Sequence, residues 1–227
     1  RLVMRNGEQL LLALVIPIGI IVAGRFLGGR VGLTMDVLAP SVLALAIWST
    51  CFTSQAIMTG FERRYGVLER LSATPLGRSG LLAGKAMAYS VISLAQVILL
   101  VIISLALSWH PHGSGLAWLP TLVSVVLAMM TFGLAALAMA GSLKAEVTLG
   151  LANLVYIVGL VAGAVVWPLV DYPKAIRPVI AALPTTALGE SLRAWGVGYT
   201  LWWPLASLAG WGILLGLLAR KVFTWIS

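Results

Sequence analysis

The chain has 227 residues, of which 60% are hydrophobic and only 10% are charged, and its net charge is +8. A soluble domain averages about 45–50% apolar and about 25% charged residues, so these proportions exclude a soluble enzyme, a disordered tail and a nucleic-acid-binding domain. The class that remains is an all-α integral membrane protein with several spans. The single cysteine, Cys51, excludes an internal disulfide.

Stretches without charged residues locate the spans. A span needs about 20 apolar residues, and the longest uncharged stretch, 86–143, is long enough for two because a polar turn at 110–115 interrupts it. We therefore predict one transmembrane domain over 1–227 with six transmembrane helices, at about 9–28, 37–59, 85–108, 118–141, 147–168 and 200–220.

The basic residues predict the orientation of these spans. Ten of the 15 lie on the side of the N-terminus, at Arg1, Arg5, Arg63, Arg64, Arg70, Arg78, Lys85, Lys144, Arg220 and Lys221. Five lie on the other side, at Arg25, Arg30, Lys174, Arg177 and Arg193. Loops rich in Lys and Arg stay in the cytoplasm, so we expect a multi-pass protein of the cytoplasmic (inner) membrane with both termini in the cytoplasm.

The cytoplasmic segment 60–84 is longer than a simple connection requires. Phe61, Tyr65, Leu68 and Ser72 recur at helical spacing, which predicts a short amphipathic helix of about three turns. Thr74-Pro75 would end it, because the residue before proline avoids the helical conformation. Its exposed face would carry the charged residues Glu62, Arg63, Arg64, Glu69 and Arg70. The pattern alone leaves open whether that face meets lipid headgroups or a protein partner.

The same segment resembles a known family. Phe-Glu-Arg-Arg-Tyr-Gly-Val-Leu-Glu-Arg-Leu-Ser-Ala-Thr-Pro-Leu-Gly-Arg, followed by Leu-Leu-Ala-Gly-Lys-Ala-Met-Ala-Tyr, is similar to the stretch after the second span of ABC type-2 transporter permeases. The matching positions are Glu62, Gly66, Leu68, Glu69, Leu71, Thr74, Pro75, Leu76, Gly84 and Lys85. In that family the segment is the coupling helix that docks on the ATPase subunit, and the nearest branch is that of drug and antibiotic exporters.

The resemblance implies an ATPase-coupling interface in this chain. It would consist of Glu62, Arg63, Arg64, Gly66, Leu68, Glu69, Arg70, Thr74 and Pro75. It also implies two copies of a cytoplasmic ABC ATPase, with ATP and Mg on that partner, and a second permease chain, identical or sister. Surrounding lipid is the other partner, and nucleic acid is not expected.

No nucleotide site is expected on the chain itself. The run from Ser79 to Ala86 is superficially similar to a phosphate-binding loop, but Ser79 replaces its first glycine and Ala86 its final Ser or Thr. The chain is therefore expected to be neither an enzyme nor a cofactor-binding protein. His110 and His112 are too few ligands for a metal site.

The external segment 169–199 alternates short apolar pieces with Pro178, Pro184 and Gly189. These pieces are too short to span, and we predict re-entrant half-helices between spans 5 and 6, as in the related permeases. The alternative is a loop resting on the headgroups, anchored by Trp195 and neighbouring aromatic residues.

The spans carry no charged residue at mid-depth, which argues against a proton-coupled carrier and favours an apolar or amphiphilic substrate. Gln55, Gln96, Asn153 and Tyr156 are the candidates for lining a substrate cavity. Gly159 and Gly163 permit close helix approach and are candidates for dimer packing.

These features together predict the permease subunit of an ATP-driven ABC exporter that moves a drug- or antibiotic-like amphiphile out across the cytoplasmic membrane. The alternatives are a lipid or glycan exporter permease of the same family, and a non-transporting membrane anchor that recruits a cytoplasmic partner.

Overall fold

A computed structural model describes residues 7–28, 34–72, 77–113 and 118–223 of the chain. All regular secondary structure in these ranges is helical. The helices are α1 (Gly7–Leu27), α2 (Met35–Trp48), a π-helical segment (Ser49–Ser54), α3 (Gln55–Arg64), α4 (Val67–Ser72), α5 (Gly77–Ala106), α6 (Trp118–Ser142), α7 (Ala145–Ala162), a 3-10 turn (Leu169–Asp171), α8 (Arg177–Ala181), α9 (Pro184–Gly196) and α10 (Trp203–Val222).

Five helices among the described residues are long and apolar enough to cross a membrane. They are Met35–Arg64, Gly80–Ala106, Trp118–Ser142, Ala145–Ala162 and Trp203–Val222. The stretch Leu14–Leu27 of α1 is apolar but shorter. The all-α class and a multi-pass arrangement are confirmed, and a sixth span in α1 stays a prediction.

The centre of the bundle is the continuous helix Met35–Arg64. Most of its side chains are buried inside the chain, whereas α7 and α10 bury only a small part of theirs. Trp48 stacks on Phe52 with ring centroids 4.3 Å apart and meets the edge of Phe132 on α6 at 4.6 Å. The π-helical segment follows Trp48 directly, and such wide turns are frequent at functional sites.

The fifth predicted span ends earlier than the sequence indicates. We predicted 147–168, but α7 ends at Ala162, with Gly163 as its C-cap. Ala164 has a φ of 48°, a left-handed conformation that a helix cannot contain. The apolar residues that follow are therefore not part of the helix, although their composition is that of a span.

The segment after α7 forms short helices that close one end of the bundle. Helix α9 packs against α2, α6 and α10, and most of its side chains are buried. Trp195 meets Trp109 edge to face, with ring centroids 5.6 Å apart. We refer to this end as the α9 end and to the opposite end, which carries α4 and the turn between α6 and α7, as the α4 end.

Candidate functional site

The predicted coupling segment is two helices joined by a turn. Helix α3 is the last part of the central helix and ends at Arg64. The chain turns at Tyr65 and Gly66, and α4 begins at Val67. Gly66 has a φ of +67°, the left-handed conformation in which helices commonly end. The prediction of one uninterrupted three-turn helix is therefore wrong. We call residues 61–72 the elbow.

The break changes which side chains share a face. Leu68 is fully buried, whereas Tyr65, predicted on the same apolar face, is exposed. Tyr65 instead lies beside Phe61, with ring centroids 6.2 Å apart. The predicted ends of the segment at Thr74 and Pro75 lie outside the described residues.

Two ion pairs attach the elbow to neighbouring helices. Lys85 of α5 donates to the carboxylate of Glu62. Arg64 donates to the carboxylate of Glu146 in the first turn of α7. The first pair is largely shielded from solvent and the second is exposed, so the first is the stronger restraint, since exposed ion pairs contribute little.

Arg63 is buried rather than exposed, which corrects our expectation that it belongs to the charged outer face. Its side chain is only 6% exposed. The guanidinium donates to the carbonyl of Gly141 and, at 2.7 Å, to the carbonyl of Leu143. The last carbonyls of a helix have no partner within it and carry partial negative charge. Arg63 thus caps the end of α6 and fixes the elbow to the turn between α6 and α7.

Glu69 and Arg70 remain on the exposed surface of α4. Arg70 donates to the carbonyl of Tyr65 at 3.2 Å, which holds α4 against the turn that precedes it. The outward surface of the elbow therefore presents Arg64, Tyr65, Glu69 and Arg70. It combines both signs of charge with an exposed aromatic ring.

Gly66 provides a direct test of the elbow. We expect Gly66→Ala to lower the free energy of unfolding by about 1–2 kcal/mol, because a Cβ is unfavourable in the left-handed conformation. No atom lies within 4 Å of the position of that Cβ, so the cost comes from the backbone alone. Gly84→Ala is the matched control, since its Cβ also meets open space but its backbone is helical. Urea unfolding in detergent should show a lower free energy of unfolding for Gly66→Ala only. Equal effects of the two substitutions would contradict the left-handed turn at Gly66.

Two of the predicted cavity residues lie inside the bundle. Gln55 is buried, and among the described residues its amide group has no hydrogen-bond partner. A Cβ on Gly133 of α6 would lie 3.3 Å from its Oε1 atom. Gln96 of α5 accepts a hydrogen bond of 2.8 Å from the Thr50 hydroxyl. Both glutamines therefore lie at or next to the π-helical segment.

The other two predicted cavity residues are on α7. Tyr156 is partly buried, and its side chain lies near that of Ser49, which also belongs to the π-helical segment. Asn153 is exposed, and its amide donates to the Leu149 carbonyl one turn earlier at 2.9 Å. The structure thus groups Gln55, Gln96 and Tyr156 around the π-helical segment and leaves Asn153 on the outer surface.

The predicted dimer-packing glycines both contact residues of their own chain. A Cβ on Gly159 would lie 3.3 Å from Nε1 of Trp48, and one on Gly163 would collide with the Thr185 hydroxyl. These contacts account for the small residues within one chain. Dimer packing at Gly159 and Gly163 stays a prediction.

An apolar groove lies between α7 and α10, with α6 as its floor. Its volume is about 540 Å³, and its lining includes Trp48, Phe132, Val155 and Trp211. None of the four predicted cavity residues lines it. Periodicity could not predict the groove, because it depends on how far apart α7 and α10 stand.

The sequence did not predict a largely buried ion pair at the α9 end. Arg193 donates to the Glu190 carboxylate at 2.8 Å, to the Ser41 hydroxyl of α2 at 3.1 Å and to the carbonyls of Ala164 and Val165. The same carboxylate accepts from the backbone N–H of Leu169 at 2.9 Å. The pair therefore provides hydrogen-bond partners for the backbone groups of the irregular segment after α7. The three-residue spacing of Glu190 and Arg193 on a helix was the available signal.

The long apolar helices and the two polar ends define a multi-pass membrane protein. Among the described residues, no group of three or more His, Cys, Asp or Glu side chains could hold a metal ion. Residues 1–195 match the family described as ABC-2 type transporter, and the match includes the whole elbow. The chain therefore belongs to the ABC-2 type transporter family and is its membrane permease component, with ATP hydrolysed by a separate subunit. No curated protein sequence matches the chain at a significant level.

Proposed function

We propose that this permease works as an exporter of a drug- or antibiotic-like amphiphile, paired with a second permease chain and two ABC ATPase subunits. In this proposal the α4 end is cytoplasmic and the elbow is the surface on which the ATPase docks. The observation that carries the proposal is the anchoring of Arg63 on the end of α6, because it joins an exposed surface to the interior of the bundle.

The elbow is suited to transmit a movement of the partner. Helix α3 continues through the π-helical segment into α2, so a displacement of α4 acts on the central helix of the bundle. The Glu62–Lys85 pair extends that displacement to α5, and Arg63 extends it to the turn between α6 and α7. ATP drives transport only if its binding favours one conformation of the permease over another. ATP and Mg²⁺ would bind on the partner.

The uncharged interior of the spans supports the proposed substrate class. Charged residues are absent from mid-depth in the spans, and the buried residues of the π-helical segment, Thr50, Cys51, Phe52 and Thr53, are all uncharged. Such surfaces favour an apolar or amphiphilic molecule over a long polar glycan. The unpartnered amide of Gln55, with Gln96 and Tyr156 beside it, would supply the few polar contacts that orient the substrate. Asn153 would take part from a face shared with the second permease chain.

Charge reversal on the outer surface of α4 tests the docking proposal. We expect Glu69→Arg to weaken binding of the ATPase subunit at least tenfold, because juxtaposed like charges across an interface cost several kcal/mol. Membrane insertion should be unaffected, and ATP hydrolysis by the partner should be uncoupled from transport. The measurement is a titration of the purified ATPase onto the permease in nanodiscs.

The control for this titration is Lys174→Glu, a charge reversal on an exposed residue at the α9 end. It should leave ATPase binding unchanged. Equal affinity of the ATPase for Glu69→Arg and for the unaltered chain would refute the docking surface. Binding of the ATPase to the unaltered chain without ATP-driven transport would instead support the membrane-anchor alternative.

A further inference from the structure

The groove between α7 and α10 extends over about half of the membrane. On α10 its lining residues Trp211, Leu215, Leu218 and Val222 form one face of the helix. At 1.5 Å per residue that face is about 16 Å long. This is about half of the ~30 Å hydrocarbon core, which is the depth of one leaflet. The groove therefore has the length and the apolar lining of a site for one lipid acyl chain.

The groove reaches the α4 end beside two lysines, and we call this end its mouth. Ser142, Leu143 and Val222 line this mouth, and Lys144 and Lys221 are the exposed neighbours of the last two. A Cβ on Gly141 would collide with the ring of Phe223, so the ends of α6 and α10 are in direct contact. Lys144 and Lys221 therefore both belong to segments that meet at this mouth.

The electrostatics of this mouth favour an anion. Among the described residues, neither Lys144 nor Lys221 forms an ion pair with a carboxylate. The nearest acidic residue along the chain, Glu146, is already paired with Arg64. The buried guanidinium of Arg63 adds positive charge beneath the turn that carries Lys144.

We propose that this groove is a binding site for an anionic phospholipid, with its phosphate between Lys144 and Lys221 and one acyl chain along the groove. Basic pockets between transmembrane helices are known to bind anionic headgroups. The site is separate from the elbow and goes beyond the proposed transport function. It assigns a bound lipid to the permease whatever its cargo is.

Charge also argues against a second copy of the chain as the occupant. In a two-fold dimer the same surface patch of each copy meets its counterpart. With the axis along the membrane normal, the two mouths would face each other at the same depth. Four lysines would then come together without a carboxylate, which is unfavourable unless an anion lies between them.

The test is native mass spectrometry of the full chain in detergent, titrated with dioleoyl phosphatidylglycerol or dioleoyl phosphatidylcholine. We expect the phosphatidylglycerol to bind more tightly. Changing both lysines, Lys144→Gln and Lys221→Gln, should weaken its binding about 30-fold. Arg220→Gln is the matched control: it removes the same charge from the same turn, but it lies two residues from Leu218 and so on the opposite side of α10 from the groove.

A second pair of variants tests the acyl-chain half of the site. Val155→Trp should fill the groove and displace the lipid, whereas Ile157→Trp, on the exposed face of α7 outside the groove lining, should not. Three results would overturn the proposal. They are equal affinity for the two lipids, unchanged affinity in the double lysine variant, and loss of self-association without loss of lipid binding in Val155→Trp.

Discussion

Replacing Arg193 with methionine is expected to lower the free energy of unfolding of the detergent-solubilised chain by about 3 kcal/mol, the low end of the range for breaking a buried ion pair, because Glu190 is left without its counter-charge but stays partly exposed. Among the described residues, Glu190 would keep only the N–H of Leu169 as a hydrogen-bond partner. The carbonyls of Ala164 and Val165 would lose the donor that now satisfies them. Since Ala164 has a left-handed conformation, the segment after α7 depends on these contacts. The measurement is urea unfolding followed by circular dichroism.

Two control variants make this result specific. Lys174→Met removes an exposed positive charge from the same end of the molecule and should change stability by no more than about 0.5 kcal/mol. The double variant Arg193→Met with Glu190→Met should recover part of the loss, because the unpaired carboxylate is removed as well. An unsatisfied buried group costs at least about 1 kcal/mol. A smaller loss of unfolding free energy for Arg193→Met would therefore show that this ion pair does not stabilise the fold.

Arg63→Gln is expected to reduce the stimulation of ATP hydrolysis by the permease about tenfold while leaving the affinity for the ATPase nearly unchanged. Arg63 is buried beneath the elbow, so it does not contribute to the outer surface that would meet the partner. Its loss would free the end of α6 from the elbow, since a shorter neutral amide cannot reproduce two charge-assisted bonds. Two measurements separate the roles: titration of the ATPase, and its rate of hydrolysis at saturating permease.

The control for Arg63 is Arg25→Gln. The Arg25 side chain also donates to a helix-terminal carbonyl, that of Leu107 at 3.0 Å, but it is exposed and lies far from the elbow. Arg25→Gln should leave both the affinity for the ATPase and its rate of hydrolysis unchanged. If Arg63→Gln weakens binding as much as Glu69→Arg does, Arg63 belongs to the interface and the coupling role is wrong.

Composition predicted the class and the approximate positions of the spans, because burying apolar residues in lipid requires long uncharged stretches. The same rule misplaced the end of α7. The residues after Ala162 are apolar, but the backbone leaves the helix at Gly163 and is stabilised by Arg193, which is distant in sequence. Composition cannot report a contact of this kind.

In the elbow, too, the feature that depends on neighbouring residues was predictable and the one that depends on a distant segment was not. The turn at Gly66 was predictable, because glycine is the usual residue at the end of a helix, yet helical periodicity on both sides of it suggested one continuous helix. The burial of Arg63 was not predictable. It depends on the position of the turn between α6 and α7, which lies about 80 residues further along the chain. Periodicity distinguishes the faces of a helix but not which neighbour covers them.

Site-specific photocrosslinking from α4 tests most directly whether the elbow receives the ATPase. A benzophenone side chain would replace Arg70 in one variant and Lys174, at the α9 end, in a control, and both would be irradiated in native membranes. We expect Arg70 to yield an adduct with a polypeptide whose peptides contain the phosphate-loop sequence G-x-x-x-x-G-K-[ST] of an ATPase, and Lys174 to yield none. An ATPase adduct from Lys174 but not from Arg70 would contradict both the docking surface and the proposed orientation.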